Sequence, residues 1–456
     1  MKKLEKNDFI TLEINGMTNE GNGVGRADGG MAVFVPYTAV GDRISCKIVK
    51  TAKSYAYGIV DSIQIPSDKR RQSDCEAFCK CGGCSFRHFT YKEELSVKQG
   101  FVRDSFERIG KLSPEFEEIL GCECEDYYRN KIQLPVADVD GKAVAGFYSK
   151  RSHRVMPISD CKLQPPEFFE IVREVLKYQN EKKLTCYDEV SHKGLLRHIY
   201  IRRGENTKET MLCLVTSKET HEYDELAERV IKSFPQIVSV VLNINPKPTN
   251  VVLGDRCVTI FGKDTICDVM CGRKIEISPL SFYQVNTKQA EKLYEIAAEY
   301  ADLKGGETLI DLYCGAGTIG LSIADKVKRL IGIEIVKPAI ENAKRNARLN
   351  GVENAEFICG DAGTAASELI KRGVRPDVII ADPARKGCDA LSLESMVKLS
   401  PNRIVMVSCN HATCARDCAY LCDNGYEIQK CRPVDLFPRT THVETVVLMS
   451  KVNPNK

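Results

Sequence analysis

The stretch "ETLIDLYCGAGTIGLSIA" (307–324) constrains the fold most. An apolar run, a glycine-dense turn and a second apolar run of helical spacing follow one another without a break. The glycines fall at Gly315, Gly317 and Gly320, the spacing G-x-G-x-x-G. A strand that turns so tightly into a helix belongs to a sheet with helices packed on its faces. The downstream chain repeats the alternation. "RLIGIEI", "AEFICGD", "PDVIIADPARKG", "RIVMVSCN" and "HVETVVLMS" read as strands, and "KPAIENAKRNARLNG" reads as a helix ending at Gly351. From about residue 271 the expectation is therefore an α/β domain, a doubly wound and mostly parallel sheet.

A chain of 456 residues exceeds one ordinary core, so further domains are expected upstream. Residues 1–66 carry short β-prone runs, "FITLEING", "AVFVPYTAV", "DRISCKIVK" and "YAYGIVDSI", with a glycine-rich turn between the first two. Several short strands with such turns predict a small barrel. Lys47, Lys50, Lys53, Tyr55 and Tyr57 lie close together there, a composition suited to charge and stacking contacts with RNA. Residues 67–270 read as a mixed α+β region. Its clusters "YYRNKIQLPV", "YSKRSHRV" and "LLRHIYIRRG" interleave cations with tyrosines, which suits phosphates and stacked bases. Residues 91–110 have the pattern of an amphipathic helix.

The formal charge is only +3, so a polyanionic partner must meet a local basic patch. No apolar segment is long enough to span a membrane, and the lysines of "MKKLEKNDFI" precede no apolar run, so no secretory signal is expected. Twenty-one cysteines without such a signal predict a reducing, cytoplasmic setting with metal or catalytic use of some thiols. The lack of an obvious coiled-coil pattern predicts a monomer.

The glycine turn fits a nicotinamide enzyme or a methyltransferase. Asp311 lies inside the strand that enters it, where a carboxylate suits the ammonium of a methionine-type ligand. Glu334 follows Gly320 by 14 residues, short of the roughly 20 that the dinucleotide fingerprint asks for. A carboxylate at that strand end can accept both hydroxyls of an adenosine ribose. Both features favour the methyltransferase.

Two groups of cysteines invite chemistry. Cys75, Cys81 and Cys84 have the spacing C-x5-C-x2-C, with Cys79 between, and thiolates so close in sequence suit a metal. Zinc or an iron–sulfur cubane would need a fourth ligand, either Cys79 or a distant residue such as Cys161. The C-x3-C-x2-C spacing of radical enzymes fails, because position 82 is Gly82. In "VSCNHATCARDC", Cys409 follows a strand tip, where open α/β sheets place working residues. Cys414 and Cys418 share a helical face and read as core or surface thiols.

Taken together, the barrel, the cysteine spacing and the ordered motifs "SFYQVN", "DLYCGAG", "GIE", "ADPAR", "SCN" and "HVET" resemble one family nearly end to end. It is the RNA uracil-5-methyltransferases, in their cluster-bearing 23S ribosomal RNA branch. The resemblance implies a TRAM barrel of oligonucleotide-binding type and a central iron–sulfur domain. It also implies a C-terminal Rossmann-like domain, residues 271–456, that uses S-adenosylmethionine. Helix 91–110 would pack on that last domain. Cys75, Cys81, Cys84 and Cys161 would hold a four-iron four-sulfur cluster, leaving Cys79 a bystander. Gln284, Tyr313, Glu334 and Asp382 would bind S-adenosylmethionine. Cys409 would be the nucleophile and Glu444 the base, with Arg385 the arginine of the "DPxR" motif. Ala384 stands where the family usually has a second proline.

Uracil chemistry calls for the same groups. A thiolate adding at carbon 6 makes carbon 5 nucleophilic, and a base must then remove the carbon-5 proton. The uridine must leave its stack, which points to a single-stranded or loop region of RNA. The implied substrate is 23S ribosomal RNA, with the T-loop uridine of transfer RNA as the alternative. A cluster-containing NAD-dependent oxidoreductase and a non-catalytic RNA-binding protein are the competing classes. The first is opposed by the spacing to Glu334, the second by the filled positions 382, 409 and 444.

Overall fold

In the computed structural model the described residues are 4–149 and 152–452. Lys150 and Arg151 of the "YSKRSHRV" cluster, and the outer ends of residues 1–66 and 271–456, lie outside them.

Five strands close into a barrel: β1 (Phe9–Met17), β2 (Asn22–Arg26), β3 (Ala32–Pro36), β4 (Arg43–Thr51) and β5 (Tyr55–Ile65), in the order β1-β2-β3-β5-β4. Alternate residues Leu12, Ile14, Val33, Val35, Ile44, Cys46 and Ile48 fill its interior, as the two-residue period of a strand requires. Asp42 ties the barrel to the following segment, accepting from Arg70 Nε at 2.9 Å and from the Ser67 backbone at 2.9 Å.

The middle of the chain forms a seven-stranded sheet. Its strands are β6 (Lys131–Val139), β7 (Lys142–Tyr148), β8 (Val155–Pro157), β9 (Leu196–Arg203), β10 (Thr210–Thr216), β11 (Ile237–Ile244) and β12 (Arg256–Gly262), in the order β12-β11-β10-β9-β6-β7-β8. Ile199, Ile201, Leu212 and Leu214 face the helices Pro166–Glu181 and Asp224–Ser233. Tyr200, Met211 and Cys213 point the other way, into a core shared with the C-terminal part.

A hairpin of β13 (Ile266–Met270) and β14 (Arg273–Ile277) leads into the second seven-stranded sheet. This sheet holds β15 (Thr308–Leu312), β16 (Arg329–Glu334), β17 (Ala355–Cys359), β18 (Val378–Ala381), β19 (Arg403–Ser408), β20 (Tyr426–Val434) and β21 (Glu444–Lys451). The order is β17-β16-β15-β18-β19-β21-β20. β17 to β19 run parallel, and β21 is antiparallel to both neighbours. The order reverses beside β15, the switch point where such sheets bind ligands.

Helix Tyr91–Ser105 continues into a π-helical turn, Phe106–Gly110, instead of running as one α-helix. Phe106 is buried, and Gly110 lies against the Ala415 carbonyl, where a Cβ would come within 3.0 Å. The wider turn satisfies both contacts. Residues 115–120 then run parallel to β20 along its open edge, with the Cys431 amide donating to the Glu115 carbonyl at 3.0 Å. Among the described residues no helix is long and apolar enough to cross a membrane.

Candidate active site

The glycine turn opens at the C-terminal end of β15. Tyr313, Gly315 and Gly317 all have positive φ, 65°, 55° and 81°, a conformation that two glycines adopt without strain. Asp311 is 1% exposed and accepts from the Gly320 amide through Oδ2 at 2.9 Å. Its Oδ1 is buried without a partner among the described residues. Burial, with Asp382 and Glu334 adding repulsion, pushes its pKa up to about 7. Glu334, at the tip of β16, accepts from the Gly315 amide at 3.2 Å and the Val336 amide at 2.8 Å. A carboxylate anchored by two amides keeps the rest of its lone pairs available to a ligand.

Three strands away, Cys409 follows the end of β19 and Glu444 begins β21. Ser408 pairs with Thr445, so the next register step sets Cys409 opposite Glu444. Cys409 is half-buried and Glu444 is 4% exposed. Asp382 follows β18, and its amide donates to the Leu312 carbonyl at 3.3 Å. Arg385 is held through its carbonyl, which accepts from Asn410 Nδ2 at 2.9 Å, and its Nη2 lies 3.5 Å from His442 Nε2.

These groups act on one another. Burial raises the Cys409 thiol to about 11, Glu444 and Asp382 add to the rise, and Arg385 opposes it. Burial raises Glu444 to about 8, with Asp382 adding and Arg385 opposing. Asp382 is desolvated to about 7. A thiol, two carboxyls and one guanidinium thus share a site in which burial moves both carboxyls towards neutrality.

Residues 269–452 match the family model described as tRNA (Uracil-5-)-methyltransferase, and residues 3–60 match the TRAM domain. An uncharacterised RNA methyltransferase of Halalkalibacterium halodurans is 43% identical over 452 residues, 99% of this chain and 98% of its own. One of Clostridium tetani is 42% identical over the whole of both chains. The chain belongs to the RNA uracil-5-methyltransferase family. The tRNA (uracil-54, C5)-methyltransferase of Pyrococcus abyssi, solved with S-adenosyl-L-homocysteine, shares its fold. The match has a TM-score of 0.75 and 26% identity over 96% of this chain and all of the other. The methyltransferase fold of the C-terminal part and the N-terminal TRAM barrel follow from these matches.

Other positions singled out in the sequence lie elsewhere around the methyltransferase site. The Tyr313 hydroxyl donates to Ser392 Oγ at 3.1 Å. Gln284 is buried in the loop after β14, and its carbonyl accepts from Asn130 Nδ2 at 2.8 Å. Cys414 and Cys418 are buried in the core under helix His411–Asp423. Sequence reasoning assigned no role to His442 and Asn410, which flank Arg385, although both lie inside the motifs "HVET" and "SCN" that it used. It also missed a buried ionic clamp. Lys98 Nζ donates to Glu94 Oε1 and Asp435 Oδ1, both at 2.7 Å, and Arg439 Nη1 lies 3.2 Å from Glu94 Oε2. Lys98, Glu94 and Asp435 are fully buried, so the clamp fixes the segment that leads to Glu444.

Cys75, Cys81, Cys84 and Cys161 line one cavity of about 110 Å³, with Arg87 and Arg129 on its wall. Among the described residues no three His, Cys, Asp or Glu side chains are drawn together as a ligand group. Four thiols therefore surround a common space without forming a closed coordination sphere. Burial raises Cys84 to about 12 and Cys161 to about 11, and the neighbouring thiols add to both. In type and number these donors suit a four-iron four-sulfur cluster, whose binding would displace the thiol protons.

Proposed function

We propose that this methyltransferase methylates carbon 5 of a uridine in 23S ribosomal RNA, with S-adenosylmethionine as donor. The observation that carries the reading is the facing of Cys409 and Glu444 across β19 and β21, with Asp382 and Arg385 beside them. Cys409 Sγ, as thiolate, adds to carbon 6 of the uracil, and the electrons of the 5,6 double bond move onto the ring as an enolate. S-adenosylmethionine, when bound, supplies the methyl group that carbon 5 takes up. The Glu444 carboxylate then removes the carbon-5 proton, the double bond reforms, and the bond from Sγ to carbon 6 breaks. Arg385 favours the thiolate before attack and after release.

Asp311 and the glycine turn would form the cofactor end, and Gln284, Tyr313, Glu334 and Asp382 would bind S-adenosylmethionine there. The donor is supported by the S-adenosyl-L-homocysteine held by the Pyrococcus abyssi relative. Cys75, Cys81, Cys84 and Cys161 would hold the four-iron four-sulfur cluster, which when bound cross-links two segments of the RNA-binding part. The working division is then 1–66 for the barrel, 67–270 for the central domain and 271–456 for the methyltransferase domain, in a cytoplasmic monomer. Helix 91–110 belongs in space to the last of these.

The choice of ribosomal RNA rests on the resemblance carried by the four cysteines. A second reading, the T-loop uridine of transfer RNA, is favoured by the likeness to the archaeal tRNA enzyme. Total RNA containing 5-fluorouridine tests both, because fluorine cannot leave as a proton and the adduct accumulates. Mass spectrometry should find Cys409 joined to a 23S fragment. A tRNA fragment would select the second reading, and attachment at Cys414 or Cys418, or no adduct, would overturn the mechanism.

A further inference from the structure

Most buried arginines of this protein face carboxylates. Arg87 lies 2.7 Å from Asp74 and 2.8 Å from Asp126, Arg197 lies 3.3 Å from Glu189, and Arg203 meets Glu167 and Glu205. Where β6 meets β9 the pattern breaks. Lys131 and Arg202 are cross-strand partners there, and Arg129 precedes Lys131 by two residues. None of the three has a carboxylate ion pair among the described residues.

Arg202 is 1% exposed, and its Nη1 donates to the carbonyls of Ser278 and Ser281 at 2.8 and 2.7 Å. Its Nε and Nη2 are buried with no partner, as is Nε of Arg129. Lys131, beside these two guanidiniums, is only half-buried. Burial lowers its pKa to about 8, and Arg202 and Arg129 lower it further as neighbouring charges. Lys131 and Arg202, paired across the strands without a carboxylate and with Arg129 behind them on the wall of the thiol cavity, are costly to hold together unless an anion arrives from outside.

Location says which anion. Residues 200 and 202 lie on the face of β9 that points towards the methyltransferase domain, since 199 and 201 fill the opposite core. Lys131, paired with Arg202, shares that face. The adjacent loop is the one that carries Gln284. Asn130 donates to the carbonyls of Val285 and Gln284, both at 2.8 Å, and Tyr200 donates to the Pro279 carbonyl at 3.3 Å. Arg129 also acts on His442, the neighbour of Arg385. The cationic group therefore lies on the seam between the central sheet and the site of Cys409.

We propose that Lys131, backed by Arg129 and Arg202, seats a phosphodiester of the RNA strand that carries the target uridine. The proposal rests on the RNA-methylating reading above. Phosphate contacts of this kind set the register of a strand without reading its sequence, so the seat would fix how far along the strand the everted base emerges.

The test compares the full-length wild type with Lys131→Gln, Lys131→Arg and, as a control, Lys232→Gln. Lys232 is exposed on helix Asp224–Ser233, across the central sheet from the seam. Fluorescence anisotropy with labelled transcripts of tRNA and of a 23S rRNA domain is followed over a salt series. S-adenosyl-L-homocysteine affinity and thermal unfolding are measured on the same samples. Lys131→Gln should weaken RNA binding several-fold and lower the salt slope by about 1. Lys131→Arg should restore both, and the control should match wild type, with S-adenosyl-L-homocysteine affinity unchanged throughout. An unaltered salt slope in Lys131→Gln would overturn the seat even if wild type methylates uridine. Loss of S-adenosyl-L-homocysteine affinity with RNA binding kept would overturn it in favour of a cofactor carboxylate. If wild type binds RNA and Lys131→Gln lowers the salt slope, but wild type transfers no methyl group to uridine, the methylating reading fails and the seat stands.

Discussion

Cys409 and Glu444 stand opposite each other one register step beyond the Ser408–Thr445 pair, at the mouth of the antiparallel pairing of β19 with β21. The proposed nucleophile and base are thus placed by the register of one strand pair. That relationship makes their separate roles measurable.

Glu444→Gln should leave addition intact and block release. The variant is expected to accumulate a covalent complex with ordinary uridine RNA, seen as a band that survives denaturing electrophoresis. Turnover should fall by about 10²–10⁴. A variant that turns over slowly without any accumulating complex would place the base elsewhere. In wild type, with Glu444 raised to about 8, release should quicken as pH rises towards and past that value, because only the ionised carboxyl accepts the proton.

Arg385→Gln removes the one group that draws the Cys409 thiol down, while burial, Glu444 and Asp382 still push it up. The pH profile of single-turnover adduct formation should move to higher pH, and adduct formation near neutrality should slow by about tenfold as the thiolate fraction falls. A rate lowered equally at every pH would mean that Arg385 acts on RNA and not on the thiol.

Asp311 has a pKa raised to about 7 from an ordinary carboxylate value near 4. The folded state holds its proton more tightly than the unfolded chain does. That stabilisation is fully present below about pH 4 and is lost as pH rises through 7. Asp311→Asn should therefore be more stable than wild type at pH 8, by on the order of 2–4 kcal/mol and with a higher unfolding temperature, and lose the advantage towards pH 4. Affinity for S-adenosyl-L-homocysteine should fall in the same variant. Equal unfolding temperatures at pH 8 would contradict the burial of that charge.

Lys98→Met leaves Glu94 and Asp435 buried without their shared cation, so a loss of about 3–5 kcal/mol is expected in chemical denaturation. The change is at the helix, yet methyl transfer should suffer too, because the Asp435–Glu444 segment loses its anchor. Full activity at unchanged stability would show the clamp to be dispensable.

Anaerobic reconstitution with iron and sulfide should load the protein, and serine at Cys75, Cys81, Cys84 or Cys161 should lower bound iron. Serine at Cys79, which does not line the cavity, should not. Equal loading in all five variants would remove the cluster from this pocket.

The glycine turn and the strands around it were legible because their residues are apolar on both faces and their turns need φ values that glycine supplies. Cys409 and Glu444 were legible as polar residues at the ends of such strands. β20 was not: in "YEIQKCRPV" charged residues alternate with apolar ones along an edge that a later segment covers. The clamp was hidden for a related reason. Glu94 and Lys98 read as the polar face of a helix, and only the arrival of Asp435 and Arg439 from 337 and 345 residues away makes that face an interior.

Residues 115–120 along the β20 edge, with the clamp next to them, bear on how proteins of this design can be rearranged. A methyltransferase unit cut out at residue 271 would carry a bare sheet edge, ready to pair with another chain, and an unneutralised Asp435 and Arg439. Exchange of RNA-binding parts between relatives would have to leave residues 91–122 with the recipient's catalytic sheet. The hereditary unit of the catalyst is thus discontinuous along the gene.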